Sequence, residues 1–220
     1  MRALITGATA GFGEAIAHKF AENNWDLIVT GRREERLNEL KAKLEQKGVQ
    51  VKTLAFDVRD RTQVENALGS LDSDWKEIDL LVNNAGLAAG FGPIQDGDPD
   101  NWDRMIDTNV KGLLYVSMMI MPIMQERKKG HIINIGSTAG KEVYRNGNVY
   151  CASKHAVDAL TKSMRIDLLP FGIKVTGICP GAAETEFALV RFDGDSEKAK
   201  GVYNGYTPMA ATDIAEVTWY

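Results

Sequence analysis

Three side chains in the second half of the chain have the types and spacing needed for proton transfer at an oxygen atom. Tyr150 and Lys154 stand four residues apart, which is one face of a helix, and Ser137 lies thirteen positions before the tyrosine. A free tyrosine has a pKa of about 10, too high for an efficient base near neutral pH. An ammonium on the same helical face would stabilise the phenolate and lower that pKa. The spacing predicts Tyr150 as acid or base, with Ser137 donating a hydrogen bond to the substrate oxygen.

Tyrosine and lysine at this spacing also occur on ordinary exposed helix faces. The position of Ser137 favours the chemical interpretation, because it follows the apolar run 131–136, which is predicted to be a strand. In an open parallel sheet, the residues after the strands face the ligand crevice.

A glycine-rich turn near the start of the chain predicts a second site. Gly7, Gly11 and Gly13 follow the apolar run 3–6 and open a segment of helical period. Small residues let phosphate oxygens approach the backbone, and the helix N-terminus offers N–H donors and a positive dipole end. The spacing differs from Gly-x-Gly-x-x-Gly, so a turn without a ligand is the alternative. With the Ser–Tyr–Lys set downstream, we expect the turn to hold a dinucleotide and the chain to pass a hydride between a nicotinamide and an alcohol or carbonyl carbon.

The end of the second predicted strand favours one cofactor. The residues there are Arg32 and Arg33, with no carboxylate before Glu34. An acidic residue would bind an adenosine 2′-hydroxyl, whereas two guanidinium groups suit a 2′-phosphate. A solvated basic helix start is the alternative, but positive charge in a first helical turn opposes the helix dipole. We therefore predict NADP(H) rather than NAD(H).

The elements that position these residues alternate along the chain. Apolar runs predict strands at 3–6, 27–30, 51–56, 80–82, 131–135 and 174–178. Segments of helical period predict helices at 13–23, 33–47, 61–71, 102–125 and 150–169, and the polar stretch 193–205 is predicted to be a mobile loop or lid. Alternation of this kind predicts an α/β, Rossmann-type, doubly wound parallel sheet in three α/β/α layers, with strand order 3-2-1-4-5-6. Residues 1–220 contain no linker or repeat and are predicted to form one domain.

The composition limits the classes of partner that the chain is expected to bind. The formal net charge is −4, from 26 basic and 30 acidic residues, which gives no general attraction to nucleic acid or to anionic membranes. No segment reads as a signal peptide or a membrane span. Two cysteines are too few for a disulfide framework, so we expect a cytoplasmic protein with reduced thiols. The three histidines share no metal-ligand spacing, and no metal site is predicted.

The chain resembles the NADP-dependent short-chain dehydrogenases/reductases. The residues that carry the resemblance are 6–13, Asp57, Val58, 83–86, Asn109, Ser137, Tyr150, Lys154, Pro180 and Gly181, in the order typical of that family. The resemblance implies a cofactor site made, together with the two arginines, by Gly7, Thr9, Ala10, Gly11, Phe12, Gly13, Asp57, Val58, Asn84, Ala85, Gly86, Tyr150, Lys154, Pro180, Gly181, Ala183 and Thr185.

Particular roles follow from the same resemblance. Asp57 and Val58 would contact the adenine, and Asn84 the adenosine ribose. Lys154 would also hold the nicotinamide ribose. Asn109 would be a fourth catalytic residue, binding a water that links Lys154 to solvent. Residues 180–187 would wrap the nicotinamide and the phosphates.

Closer similarity is to the branch that oxidises 3-hydroxy acids such as serine and allo-threonine. It rests on residues 133–140, 147–150, 185–187 and 190–192. A carboxylate substrate needs a cation, for which Arg191 is the candidate, and a surface arginine on a loop is the alternative. Substrate contacts are therefore expected from Ser137, Tyr150 and Arg191. An NADPH-dependent reductase of ketones or 3-oxoacyl thioesters, and an NADP-binding regulatory protein without turnover, are the competing functions.

Two further expectations concern assembly and the C-terminus. The predicted helix from Asn109 is apolar nearly all round, which suggests either ordinary core packing or burial against a second copy. The family commonly forms homodimers and homotetramers through this helix and the Tyr150 helix. Its members also continue into a seventh strand and a tail, which the resemblance implies are missing after Tyr220.

Overall fold

A six-stranded parallel sheet forms the centre of the molecule. The computed structural model describes residues 1–201, 205 and 207–220. The strands are β1 Arg2–Ile5, β2 Asp26–Gly31, β3 Val51–Ala55, β4 Leu80–Asn83, β5 Gly130–Ile135 and β6 Ile173–Ile178. They pair in parallel in the order β3-β2-β1-β4-β5-β6. The predicted single-domain, doubly wound architecture is confirmed, and its order reverses between β1 and β4.

Helices cover both faces of this sheet. They are α1 Gly11–Glu22, α2 Glu34–Glu45, α3 Arg61–Gly69, α4 Pro99–Ile106, α5 Leu113–Arg127, α6 Asn148–Leu168, α7 Glu186–Arg191, α8 Ser196–Gly201 and α9 Ala211–Trp219. Successive strand residues point to opposite faces. In β1, Ile5 therefore packs with α1, α2 and α9, whereas Leu4 packs with α3, α5 and α6. One apolar core on each face of the sheet packs the helices against it, which gives the three layers.

The structure corrects two predicted elements. The helix expected over 102–125 is α4, a π-helical turn at Asp107–Gly112, and α5. Apolar periodicity does not distinguish a π turn from regular helix, since the chain remains helical throughout. Residues 193–205, expected to be a loop, include α8, while 202–204 lie outside the described residues.

The segment after β6 is tied to the start of α9. Ala183 and Met209 form a parallel bridge, with hydrogen bonds from Glu184 N to Met209 O (2.9 Å) and from Met209 N to Ala182 O (3.0 Å). α9 then packs on α1, where Lys19 and Glu216 form an ion pair at 2.6 Å. Within the described part of the chain, no helix combines the length and apolar character needed to cross a bilayer.

Candidate active site

A cleft of about 1230 Å³ lies at the carboxyl ends of the strands, where the strand order reverses. This is the expected ligand position in an open α/β sheet. The predicted residues that line the cleft are Gly7, Thr9, Ala10, Gly11, Phe12, Arg32, Arg33, Asp57, Val58, Asn84, Ala85, Gly86, Ser137, Tyr150, Lys154, Pro180, Gly181, Ala183, Thr185 and Arg191. The fold therefore brings the glycine-rich turn and the Ser–Tyr–Lys set together in one cleft.

Gly13 and Asn109 are the predicted residues that lie behind the cleft wall. A Cβ at Gly13 would collide with the carbonyl of Gly7, so glycine lets α1 begin directly against the turn. The Asn109 amide exchanges two hydrogen bonds of 2.8 Å with the backbone of Leu87 and donates to Ser153 Oγ at 3.0 Å. Its side-chain oxygen and nitrogen are thus both hydrogen-bonded within the protein. Its predicted role in a water relay stays a prediction.

Asn84 has a structural role that the sequence did not predict. Its side-chain nitrogen donates to Thr6 O at 2.8 Å and to Gly7 O at 3.2 Å. Thr6 Oγ1 in turn accepts from the backbone N–H groups of Asn84 and Ala85, each at 3.0 Å. These bonds join β1 to β4 and fix the shape of the glycine-rich turn. The predicted ribose contact cannot use the amide nitrogen while these bonds persist.

Ser137 and Tyr150 meet at the end of β5. Ser137 is in an extended conformation after that strand, and its Oγ accepts from Ala139 N at 3.1 Å. Tyr150 lies in the first turn of α6 and forms a side-chain hydrogen bond with Ser137. Gly140 permits this approach, because a Cβ there would lie 2.5 Å from the carbonyl oxygen of Lys154. Close packing of the serine turn on α6 thus places the two hydroxyls together.

Burial controls the charge state of the Tyr–Lys pair. Burial raises the pKa of Tyr150 to about 12, against the lowering effects of the Ser137 hydrogen bond and the Arg191 charge. Burial lowers the pKa of Lys154 to about 8, and Lys154 Nζ donates to Ile135 O at 2.8 Å. Lys154 is not among the main influences on the pKa of Tyr150, and the predicted lowering of that pKa by the ammonium stays a prediction. The ammonium donates to a backbone carbonyl, and the charge of Arg191 acts to lower the pKa of the phenol.

One end of the cleft is rich in arginine. Arg32 is 61% exposed and lies 3.8 Å from Asp57. Arg33 precedes α2, so the helix begins with Glu34 and Glu35, and the expected conflict between Arg33 and the helix dipole is absent. Burial acts to raise the pKa of Asp57, but hydrogen bonds and charge from Arg59, with a smaller effect of Arg32, lower it overall. Asp57 is thus held as a carboxylate by Arg59, at 2.6 Å.

Arg36 and Glu186 also meet at this end. The sequence analysis placed Glu186 in the segment 180–187 without a role of its own, and it did not single out Arg36. Glu186 forms ion pairs with Arg33 at 3.1 Å and with Arg36 at 2.8 Å. The hydrogen bond from Arg36 is the largest influence that lowers the pKa of Glu186. The available signal was the spacing of Arg33 and Arg36, three residues apart at a helix start, which puts them on neighbouring positions of one face.

Arg191 also lines the cleft, where its guanidinium lies 5.7 Å from the centre of the Tyr150 ring. It is only 7% exposed and ends α7, so the alternative of a surface arginine on a loop is wrong. Its guanidinium donates to Gly90 O at 3.2 Å and to Tyr144 Oη at 2.9 Å, and it stacks over the Phe91 ring at 4.7 Å. No carboxylate of the described residues lies within ion-pair distance of it. Tyr144 and Phe91 are functional candidates that carried no pattern in the sequence.

No cluster of three or more potential metal ligands occurs in the part of the chain that the structure describes. The cleft residues fit a dinucleotide instead. The glycine-rich turn exposes backbone at a helix start, and the donors of Arg32 remain open to solvent.

Comparison with known proteins agrees with this geometry. The model of the short chain dehydrogenase family matches residues 1–194. The chain belongs to the short-chain dehydrogenase family. It is 49% identical to the NADP-dependent 3-hydroxy acid dehydrogenase YdfG of Salmonella typhi, over 100% of this chain and 88% of that protein. It is 47% identical to sulfoacetaldehyde reductase 2 of Chromohalobacter salexigens, over 99% of this chain and 86% of the relative.

A solved structure is also similar to this chain. The closed form of serine dehydrogenase complexed with NADP⁺ aligns with a TM-score of 0.94 and 46% identity, covering 100% of this chain and 88% of that one. The predicted family membership is confirmed. The chain is an oxidoreductase of a family whose similar members act on hydroxyl groups.

Proposed function

We propose that this short-chain dehydrogenase transfers a hydride between NADP(H) and C3 of a small 3-hydroxy acid of the serine, allo-threonine or 3-hydroxyisobutyrate type. One observation carries the choice of substrate. Arg191 is a buried cation without a carboxylate partner among the described residues, and its guanidinium lies 5.7 Å from the Tyr150 ring centre. A guanidinium in that environment favours an anionic group at a fixed distance from the reacting oxygen.

The residues in each part of the cleft have a different proposed role. The turn at Gly7 and Gly11 would hold the pyrophosphate, and Arg32 with Arg33 would hold the 2′-phosphate. When bound, the nicotinamide supplies or accepts the hydride. Tyr150 would exchange a proton with the substrate oxygen, while Ser137 stabilises the charge that develops on that oxygen. Lys154 would keep a positive charge beneath the site and hold the nicotinamide ribose.

The names of the relatives support an anionic substrate. They include a 3-hydroxy acid dehydrogenase, a serine dehydrogenase and a sulfoacetaldehyde reductase. A carboxylate and a sulfonate are both anions that an arginine fork binds. A reductase of an aldehyde that carries a sulfonate is therefore the second candidate. In a reductase of neutral ketones, Arg191 would have no anionic group of the substrate to bind.

A substrate panel, followed at the nicotinamide absorbance band, tests the proposal. It contains L-serine, 3-hydroxyisobutyrate, sulfoacetaldehyde, a neutral ketone and a 3-oxoacyl thioester, each with NADP(H) and with NAD(H). We expect the highest kcat/KM for a 3-hydroxy acid with NADP⁺. Higher efficiency with the neutral ketone, or equal efficiency with the two cofactors, would contradict it. NADPH binding without any turnover would favour a regulatory protein.

The assembly and the location belong to the same proposal. We place residues 1–220 in one cofactor-binding domain that forms homodimers or homotetramers in the cytoplasm. Cys151 and Cys179 are both free thiols, which fits a reducing compartment. Met118 on α5 is 53% exposed and Ile166 on α6 is 73% exposed, which fits burial against another copy.

A further inference from the structure

The cleft carries a set of ion pairs that the proposed chemistry does not use. Glu186 is the first residue of α7, and its two carboxylate oxygens bind Arg33 at 3.1 Å and Arg36 at 2.8 Å. The arginines lie on either side of the start of α2. Glu186 is about 150 residues away from them in the chain. These contacts therefore join the two walls of the cleft, and we call the three side chains the clasp.

The clasp holds the segment of residues 183–187, which crosses the glycine-rich turn. Thr185 lies directly over that turn, since its Cβ would be 3.4 Å from a Cβ at Gly11. On the other wall, Arg33 is anchored by Nη2 hydrogen bonds to Thr9 O at 3.2 Å and to Thr9 Oγ1 at 2.9 Å. Gly11, Arg33, Thr185 and Glu186 all line the same cleft. A dinucleotide lying along the turn would be covered by this segment.

Backbone hydrogen bonds hold the first end of this segment, and side-chain ion pairs hold the other end. The bridge between Ala183 and Met209 fixes the start of the segment. Its far end depends on α7, a helix of six residues that begins at Glu186. Ion pairs between half-exposed groups are weak and screened by salt. The clasp can therefore open without disturbing the fold, while the bridge stays formed.

We propose that the Glu186 clasp sets the lifetime of the bound cofactor, because residues 185–187 must swing away before the dinucleotide can leave. The proposal rests on the proposed NADP(H) function. The clasp lies over the pyrophosphate path and shares Arg33 with the proposed 2′-phosphate site, so loss of Glu186 is expected to speed the release of NADH as well as that of NADPH. It adds Glu186 and Arg36 as cofactor-retaining residues that touch each other and not the reacting atoms.

The test is the dissociation rates of NADPH and of NADH, measured by stopped-flow fluorescence after mixing each complex with an excess of the matching oxidised cofactor. We expect Glu186→Gln to raise the NADPH rate about tenfold, the combined effect of two half-exposed ion pairs. Arg36→Gln removes one of the two pairs and is expected to have an intermediate effect. Glu35→Gln is the matched control, since it removes the same charge beside Arg36 but breaks no ion pair of the described residues. Circular dichroism and Tm establish that each variant is folded.

The salt dependence provides a second measurement. Dissociation from the wild type is expected to accelerate as salt rises from 0.05 to about 0.5 M, because screening weakens the clasp, whereas Glu186→Gln responds less. Unchanged dissociation from a folded Glu186→Gln variant would overturn the clasp and leave the proposed function intact. Slower dissociation of NADPH alone would also overturn it, since Glu186 would then compete with the 2′-phosphate. If the wild type bound no NADPH, the proposed function would fail and the clasp with it.

Discussion

At the scale of single residues, burial and charge act against each other on Tyr150. Burial raises its pKa to about 12, while Ser137 and Arg191 act to lower it. The neutral phenol is therefore the dominant form at neutral pH in this structure. That form suits a proton donor to a carbonyl oxygen, which is the direction of reduction. Oxidation requires additional positive charge beside the phenol.

Replacing Tyr150 with phenylalanine tests the acid–base role directly. We expect Tyr150→Phe to lower kcat by about 10²- to 10⁴-fold, the usual contribution of a general acid or base. Because the ring is kept, the Kd for NADPH, measured by fluorescence titration, is expected to change less than twofold. Near-normal turnover would contradict the assignment of the tyrosine.

Arg191 is expected to determine the response to substrate charge. Arg191→Ala should raise KM for a 3-hydroxy acid by about 10- to 100-fold, since charge-assisted hydrogen bonds are lost. KM for a neutral alcohol should stay within about threefold in steady-state assays. Arg191→Lys, which keeps the charge but not the fork, is the matched variant and is expected to be intermediate. An equal rise for both substrates would show that the arginine supports the site only by packing.

Lys154 makes stability depend on pH. Its pKa is about 8 in the folded protein and 10.5 in the unfolded chain, so between these values the unfolded chain binds more protons. Stability from this group therefore rises as pH increases through that window. Between pH 7 and 9.5 the free energy of unfolding of the wild type should rise by about 2 kcal/mol relative to that of Lys154→Met, measured by urea unfolding without cofactor. A constant difference between the two proteins over that range would show that the lysine pKa is not lowered.

At the scale of elements, the helical turn that follows Ser137 and the helix α6 must be in close contact to form the site. The contact is between Gly140 and the backbone of Lys154, where no side chain fits. The π-helical turn contributes from the other side, since it presents the Asn109 amide to Leu87. Irregular helical geometry of this kind is frequent at functional sites. Apolar periodicity predicted the helices but not these two contacts.

Gly140→Ala is expected to damage the site through this contact. The added methyl group must separate the turn from α6, which costs about 1–3 kcal/mol and moves Ser137 away from Tyr150. We expect a loss of kcat of at least tenfold at temperatures where the variant is folded, with NADPH affinity nearly retained. The control is Gly69→Ala at the end of α3, where a Cβ would meet nothing within 4 Å. Equal kcat values in the two variants would contradict the expectation.

At the scale of the whole molecule, apolar side chains on the outer faces of α5 and α6 suggest self-association. Sedimentation velocity at micromolar concentration is expected to give a dimer or tetramer of the 24.2 kDa chain. Ile166→Glu on α6 should lower the association state, because a charge cannot be buried there without a partner. Ile94→Glu is the control, since Ile94 is also exposed but lies outside both helices. A monomeric wild type would contradict the prediction.

The sequence alone was sufficient for the sheet order, the position of the cleft and the family, because these depend on local patterns. Strand and helix periods, the glycine-rich turn and the Tyr–Lys spacing can all be recognised within short segments. Only the tertiary structure decided the direction of the tyrosine pKa, the burial of Arg191, the use of Asn84 and Asn109 to hold the cleft walls, and the pairing of Glu186 with Arg33 and Arg36. Desolvation and ion pairing depend on which distant segments meet in space, and short-range patterns carry no information about that.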